Sequence, residues 1–84
     1  MTLSELESGK PAIVEQIQLN RHRQELGKRL AAMGIIPDKP IQILRKAWFG
    51  GPLHIRVGST TEIAIRRQEA EMVRVRLLNS PSEF

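Results

Sequence analysis

Two five-residue runs in this chain alternate strictly between apolar and polar side chains, Leu53-His54-Ile55-Arg56-Val57 and Val73-Arg74-Val75-Arg76-Leu77. A period of two places every second residue on one face, so each run reads as a strand that buries one side. A third run sets Ile63 and Ile65 between Glu62 and Arg66. A fourth carries Ile41, Ile43 and Leu44 and leads into Arg45 and Lys46. Gly50-Gly51-Pro52 and Gly58-Ser59-Thr60-Thr61 break the chain between them. Before all of these, Ala12 to Leu19 opens on Ala12-Ile13-Val14 and then alternates imperfectly, which predicts a strand with a bulge. In 84 residues, two full sheets are out of reach. A small barrel, closed or nearly so, uses short strands economically and hides their edges.

The period changes once. Leu26, Leu30 and Met33 recur at helical spacing, predicting a helix over Arg21 to Met33 with Asn20 as its cap and Gly34 as its left-handed stop. Gly27 weakens that helix by about 1 kcal/mol relative to Ala, so it depends on tertiary packing. At the start, Thr2-Leu3-Ser4-Glu5 and Ser4-Glu5-Leu6-Glu7 are overlapping capping boxes. They predict one helical turn that tucks Leu3 and Leu6 inward. Pro37-Asp38-Lys39-Pro40 is a turn, and Arg67 to Met72 reads as one helical or 3₁₀ turn before the last strand. The expected organisation is one domain over residues 1–78 with a flexible tail over 79–84.

Composition removes several function classes. With no cysteine there are no disulfides, zinc ribbons or iron–sulfur clusters. The acidic start, Met1-Thr2-Leu3-Ser4-Glu5-Leu6-Glu7, lacks the basic and apolar regions of a signal peptide. No stretch approaches the roughly 20 apolar residues that span a bilayer, so the expected location is the cytoplasm. The net charge of +4 favours anionic partners without choosing among them.

Four segments carry a specific similarity. Leu3-Ser4-Glu5-Leu6 is followed by Gly9, and Lys28-Arg29-Leu30 by Met33-Gly34-Ile35. Gly51-Pro52-Leu53 leads to Ile55-Arg56-Val57, and Ile63-Ala64-Ile65-Arg66 to Glu69-Ala70. In this order and spacing they resemble the ferrous iron transport protein A family, FeoA, from Leu3 to about Val75. The resemblance implies a mainly β, SH3-like, five-stranded barrel with one α-helix inserted after the first strand. It also implies an accessory role beside FeoB, a membrane ferrous iron transporter with a GTP-binding domain. The chain would then be peripheral to the inner membrane through that partner. Similar domains end metal-dependent repressors, but this chain has no room for their DNA-binding helices. Pro37-Asp38 stands where the family often has Pro-Gly, and Asp tolerates the left-handed conformation such a turn needs. The turn from Gly58 to Thr61 is longer than is usual in the family.

No catalytic constellation is present. His22 lies among Arg21 and Arg23, His54 beside Arg56, and neither has a triad or a paired carboxylate. The two histidines fall on different elements without metal-ligand spacing, so neither metal site nor cofactor is expected. Gly50-Gly51 has no following Lys-Ser/Thr and is no phosphate loop. What remains is a docking surface. Ala47-Trp48-Phe49 holds the only tryptophan and one of two phenylalanines, flanked by Arg45 and Lys46. Aromatic and arginine side chains dominate interface hot spots. The reading places Trp48, Phe49, Arg45 and Lys46 at the contact, with Arg21 and Arg23 as outer steering charge. Against it, Trp48 could instead fold back over the barrel mouth. Arg66-Arg67, Arg74 and Arg76 are further cations, the last two explained by strand alternation alone. Two rivals stay open: an RNA-binding barrel, though the aromatic supply is thin and no nucleic acid is expected, and self-association through the Trp48-Phe49 loop. Oligomeric state is open.

Overall fold

The computed structural model describes residues 1–18 and 24–78. A 3₁₀ turn over Leu3–Glu5 precedes β1 (Pro11–Ile17), α1 (Gln24–Ala32), β2 (Pro40–Lys46), β3 (Leu53–Val57), β4 (Thr61–Ile65), α2 (Arg67–Ala70) and β5 (Val73–Leu77). The strands form one antiparallel sheet in the order β4-β3-β2-β1-β5. This is the five-stranded fold with one inserted helix that the periodicity predicts. Thr61 belongs to β4 rather than to the preceding turn. Leu19 and the proposed Asn20 cap lie outside the described residues, as do Arg21, His22, Arg23 and the tail over 79–84.

The alternation does what the period requires. Leu53, Ile55 and Val57 are buried while His54 and Arg56 are only half-buried, and Val73 and Val75 are buried beside Arg74 and Arg76. Buried side chains from all five strands meet those of Leu3, Leu6, Leu30 and Ile35 in one core. Leu26 and Met33 lie half-buried against it, so the helical face predicted for α1 is the face that packs. The helix ends as expected at Gly34, with φ at 93°. Its amide donates to the Ala31 carbonyl at 2.9 Å, and that of Ile35 to the Leu30 carbonyl at 3.0 Å. Together these bonds form a Schellman cap, sealed by contact between two core residues.

Two bulges shape the sheet. The one predicted in β1 falls between Val14 and Gln16, opposite β5. The second lies in β2 between Ile43 and Arg45 and shifts the register so that Arg45 faces His54 and Lys46 faces Leu53. A bulge adds a residue to one strand and re-aims the side chains beyond it. Asp38 adopts φ of 72°, the left-handed conformation expected there, and the Val14 carbonyl accepts its amide at 2.8 Å.

The N-terminal segment covers the outer edge of β5. Thr2 bridges Arg74, and the Met1 carbonyl accepts the Val75 amide at 2.9 Å. Of the two possible capping boxes, the turn uses the first: the Thr2 amide donates to Glu5 Oε1 at 2.7 Å. That bond is the main reason the Glu5 carboxyl sits below the ordinary glutamate range.

Candidate docking surface

β2 and β3 end in a tight hairpin. The Ala47 amide donates to the Pro52 carbonyl at 3.0 Å, and the Gly51 amide to the Trp48 carbonyl at 3.2 Å. The two central residues, Phe49 and Gly50, both have positive φ, 57° and 74°. This is the sign of a type I′ turn, whose twist matches that of the flanking strands. Glycine adopts it freely, but a bulky side chain on a left-handed backbone costs about 1–2 kcal/mol. Gly51 is required for another reason. A Cβ there would lie 2.8 Å from that of Ala47, too close for the turn to keep its shape.

The strained Phe49 is also the most exposed large apolar side chain among the described residues. Phe49 shows 103% and Trp48 86% of its reference surface to solvent. The alternative in which Trp48 folds over the barrel mouth is therefore excluded: the turn ends the hairpin beyond the barrel and points both rings outward. Because the core is completed by aliphatic side chains and the 3₁₀ turn, no ring is needed to close it.

A guanidinium braces the hairpin from below. Arg67, the first residue of α2, donates from Nη2 to the Ala47 carbonyl at 3.1 Å. Around the base, Arg45 Nη2 lies 3.3 Å from His54 Nδ1. A guanidinium only donates, so Nδ1 accepts. Lys46 Nζ donates to the Ser4 carbonyl at 3.2 Å. Beneath the Trp48 ring lies a cavity of about 320 Å³ lined by Arg45, Ala47, Trp48, Leu53, His54 and Ala64. Glu62, on the same sheet, is engaged: Arg56 Nη2 donates to its Oε2 at 3.0 Å. That bond chiefly, with the charges of Arg56 and Arg45, holds its carboxyl below the ordinary range.

Behind the brace is a buried carboxylate. Glu69 is 2% exposed, the one buried charged residue among the described residues. Its Oε2 accepts from Arg29 Nη1 at 2.6 Å and its Oε1 from the Arg66 amide at 2.7 Å. One side chain therefore caps α2 and ties it to α1.

The structure thus brings Trp48, Phe49, Arg45 and Lys46 to one end of the barrel, while Arg21 and Arg23 lie outside the described residues. The sequence reading named Arg67 only as a further cation and missed both its bond to the Ala47 carbonyl and the Arg29–Glu69 pair. The signal was Arg66-x-x-Glu69, a capping box without its hydroxyl, of which only the acid half remains. Among the described residues no group of three or more His, Cys, Asp or Glu could hold a metal ion, and no helix is long and apolar enough to cross a membrane.

Turn strain gives one direct expectation. Phe49→Gly relieves the left-handed strain but adds about 0.5–1 kcal/mol of backbone entropy to the unfolded chain. The net effect is a stabilisation of up to about 1 kcal/mol, read as a higher urea midpoint. A lower midpoint would show that the exposed ring contributes to folding.

An antiparallel five-stranded sheet with a helix after the first strand defines an SH3-like domain. The family model for the FeoA domain matches residues 1–77, and the chain belongs to the FeoA family. Comparison with curated proteins finds no match. Among solved structures, the chain is similar to iron(II) transport protein A from Clostridium thermocellum. That likeness has 31% identity and a TM-score of 0.83, covering 93% of this chain and 46% of that one. FeoA from Stenotrophomonas maltophilia, solved with zinc, is 34% identical with a TM-score of 0.78. The match covers 90% of this chain and 89% of that protein, which is described as a procaryotic SH3 domain protein and a prospective ferrous iron transport activating factor. A manganese-dependent transcriptional repressor shares the fold alone, at 19% identity and a TM-score of 0.82, over 93% of this chain and 36% of the repressor.

Proposed function

We propose that this chain is a cytoplasmic regulatory module for a membrane ferrous iron transporter of the FeoB type, and that it acts by protein–protein contact. The observation that carries this reading is the hairpin tip of a FeoA-family barrel, where two aromatic rings stand in solvent on a strained turn. A backbone cost with no folding return is a mark of function. Exposed rings above an apolar cavity and among cations supply the anchors, the pocket and the charge that binding hot spots use. Trp48 and Phe49 are the anchors, and Arg45 and Lys46 frame them. Arg21 and Arg23 add steering charge. The chain contributes no chemistry of its own; nucleotide turnover belongs to the transporter.

The test is uptake. Cells lacking this chain should take up ferrous iron more slowly than the parent. Wild-type protein should restore the rate, and a Trp48→Ala, Phe49→Ala variant present at the same level should not. Unchanged uptake in the deletion strain would refute the proposal.

A further inference from the structure

We infer that the Phe49–Trp48 hairpin tip also enters the interface of an anionic lipid bilayer. The inference goes beyond the transporter contact and does not rest on it. The Phe49 ring does not line the cavity beneath Trp48; it stands fully in solvent on the turn of the hairpin. The adjacent tryptophan is nearly as exposed. Trp in particular favours the headgroup level of a bilayer, where its ring is half apolar and its indole N–H still finds an acceptor.

The charges around the tip have the matching sign. Arg45, Lys46 and Arg67 ring the base of the hairpin, one strand position or one hydrogen bond from the turn. The carboxylate on this face, Glu62, is already paired with Arg56. Anionic headgroups attract cations held near the surface, and each such cation strengthens binding several-fold. The tip is also rigid, because the I′ turn and the Arg67 brace fix it before binding. Insertion therefore costs little ordering of the loop. With Phe49 and the outer edge of Trp48 at the lipid interface, the cavity bounded by Arg45, Leu53, His54 and Ala64 stays open to a protein segment beside the membrane.

Trp48 is the only tryptophan, so its fluorescence reports on the tip alone. The experiment titrates the full chain with vesicles of phosphatidylcholine containing about 30% phosphatidylglycerol, and with vesicles of pure phosphatidylcholine, with no transporter present. The expected result is a blue shift of Trp48 emission that saturates with the anionic vesicles and is much weaker with the neutral ones. Phe49→Ser should weaken partition roughly tenfold or more, the effect of losing one buried ring. Arg45→Gln should weaken it about fivefold on anionic vesicles only. Circular dichroism of both variants should match the parent, since both side chains are exposed. If the anionic vesicles give no blue shift, or if Phe49→Ser partitions as well as the parent, the inference fails. Binding of the same samples to the detergent-solubilised transporter would then leave the tip as a protein contact only, so the two readings fail separately.

Discussion

Glu69→Ala should destabilise the domain by about 2 kcal/mol, the largest effect of any single truncation outside the aliphatic core. The carboxylate is buried and accepts two bonds, one from the Arg29 guanidinium and one from the Arg66 amide. Removing it leaves the first turn of α2 without its cap and the exposed Arg29 guanidinium without its partner. For a domain whose total stability is of the order of 5–15 kcal/mol, this is a large fraction. Urea denaturation gives the number. Glu69→Gln keeps an acceptor for the Arg66 amide and should cost less. Glu71→Ala, two residues on and exposed, should stay within about 0.5 kcal/mol of the parent. A Glu69→Ala loss below about 1 kcal/mol would mean the Arg29–Glu69 link is incidental. The consequence reaches the docking surface. α2 begins at Arg67, whose Nη2 holds the Ala47 carbonyl. A loosened α2 should therefore weaken partner binding from a residue that touches no partner.

The second large effect is on affinity. Trp48→Ala combined with Phe49→Ala should lower affinity for the transporter by about 100-fold or more, at the scale of two aromatic hot-spot residues. Folding stability should barely change, because both rings are in solvent and neither belongs to the core. This separation of affinity from stability is the signature of a surface contact. An unchanged isotherm would move the contact to another face of the barrel, and a collapse of stability would show that the rings support the fold.

How much of this was legible in the sequence follows from what each pattern encodes. Strict alternation in Leu53 to Val57 and Val73 to Leu77 fixes which residues are buried, and the structure follows it everywhere except Leu77, which is exposed at the end of β5. Gly34 and Asp38 mark left-handed backbone because few other residues tolerate it, and both have positive φ. Phe49 shows the limit of that logic. Its residue type argues against a left-handed backbone, so the tight turn could not be read from it. The fate of Trp48 was equally open, since a ring beside a glycine pair can cap a core or leave it. The β2 bulge, which sets Arg45 against His54, falls where the Ile43-Leu44 pair breaks the alternation, but an apolar pair alone does not fix the register against β3. Arg29 and Glu69 stand 40 positions apart, so their pairing is purely tertiary. Four of the six contact residues named from sequence gather at one end of the barrel; the other two, Arg21 and Arg23, fall outside the described residues.

The most direct measurement is the binding isotherm of the purified chain on the detergent-solubilised ferrous iron transporter of the same cell, with and without guanine nucleotide. The proposed function predicts saturable binding whose affinity changes with the nucleotide. Absence of binding in every nucleotide state would contradict it.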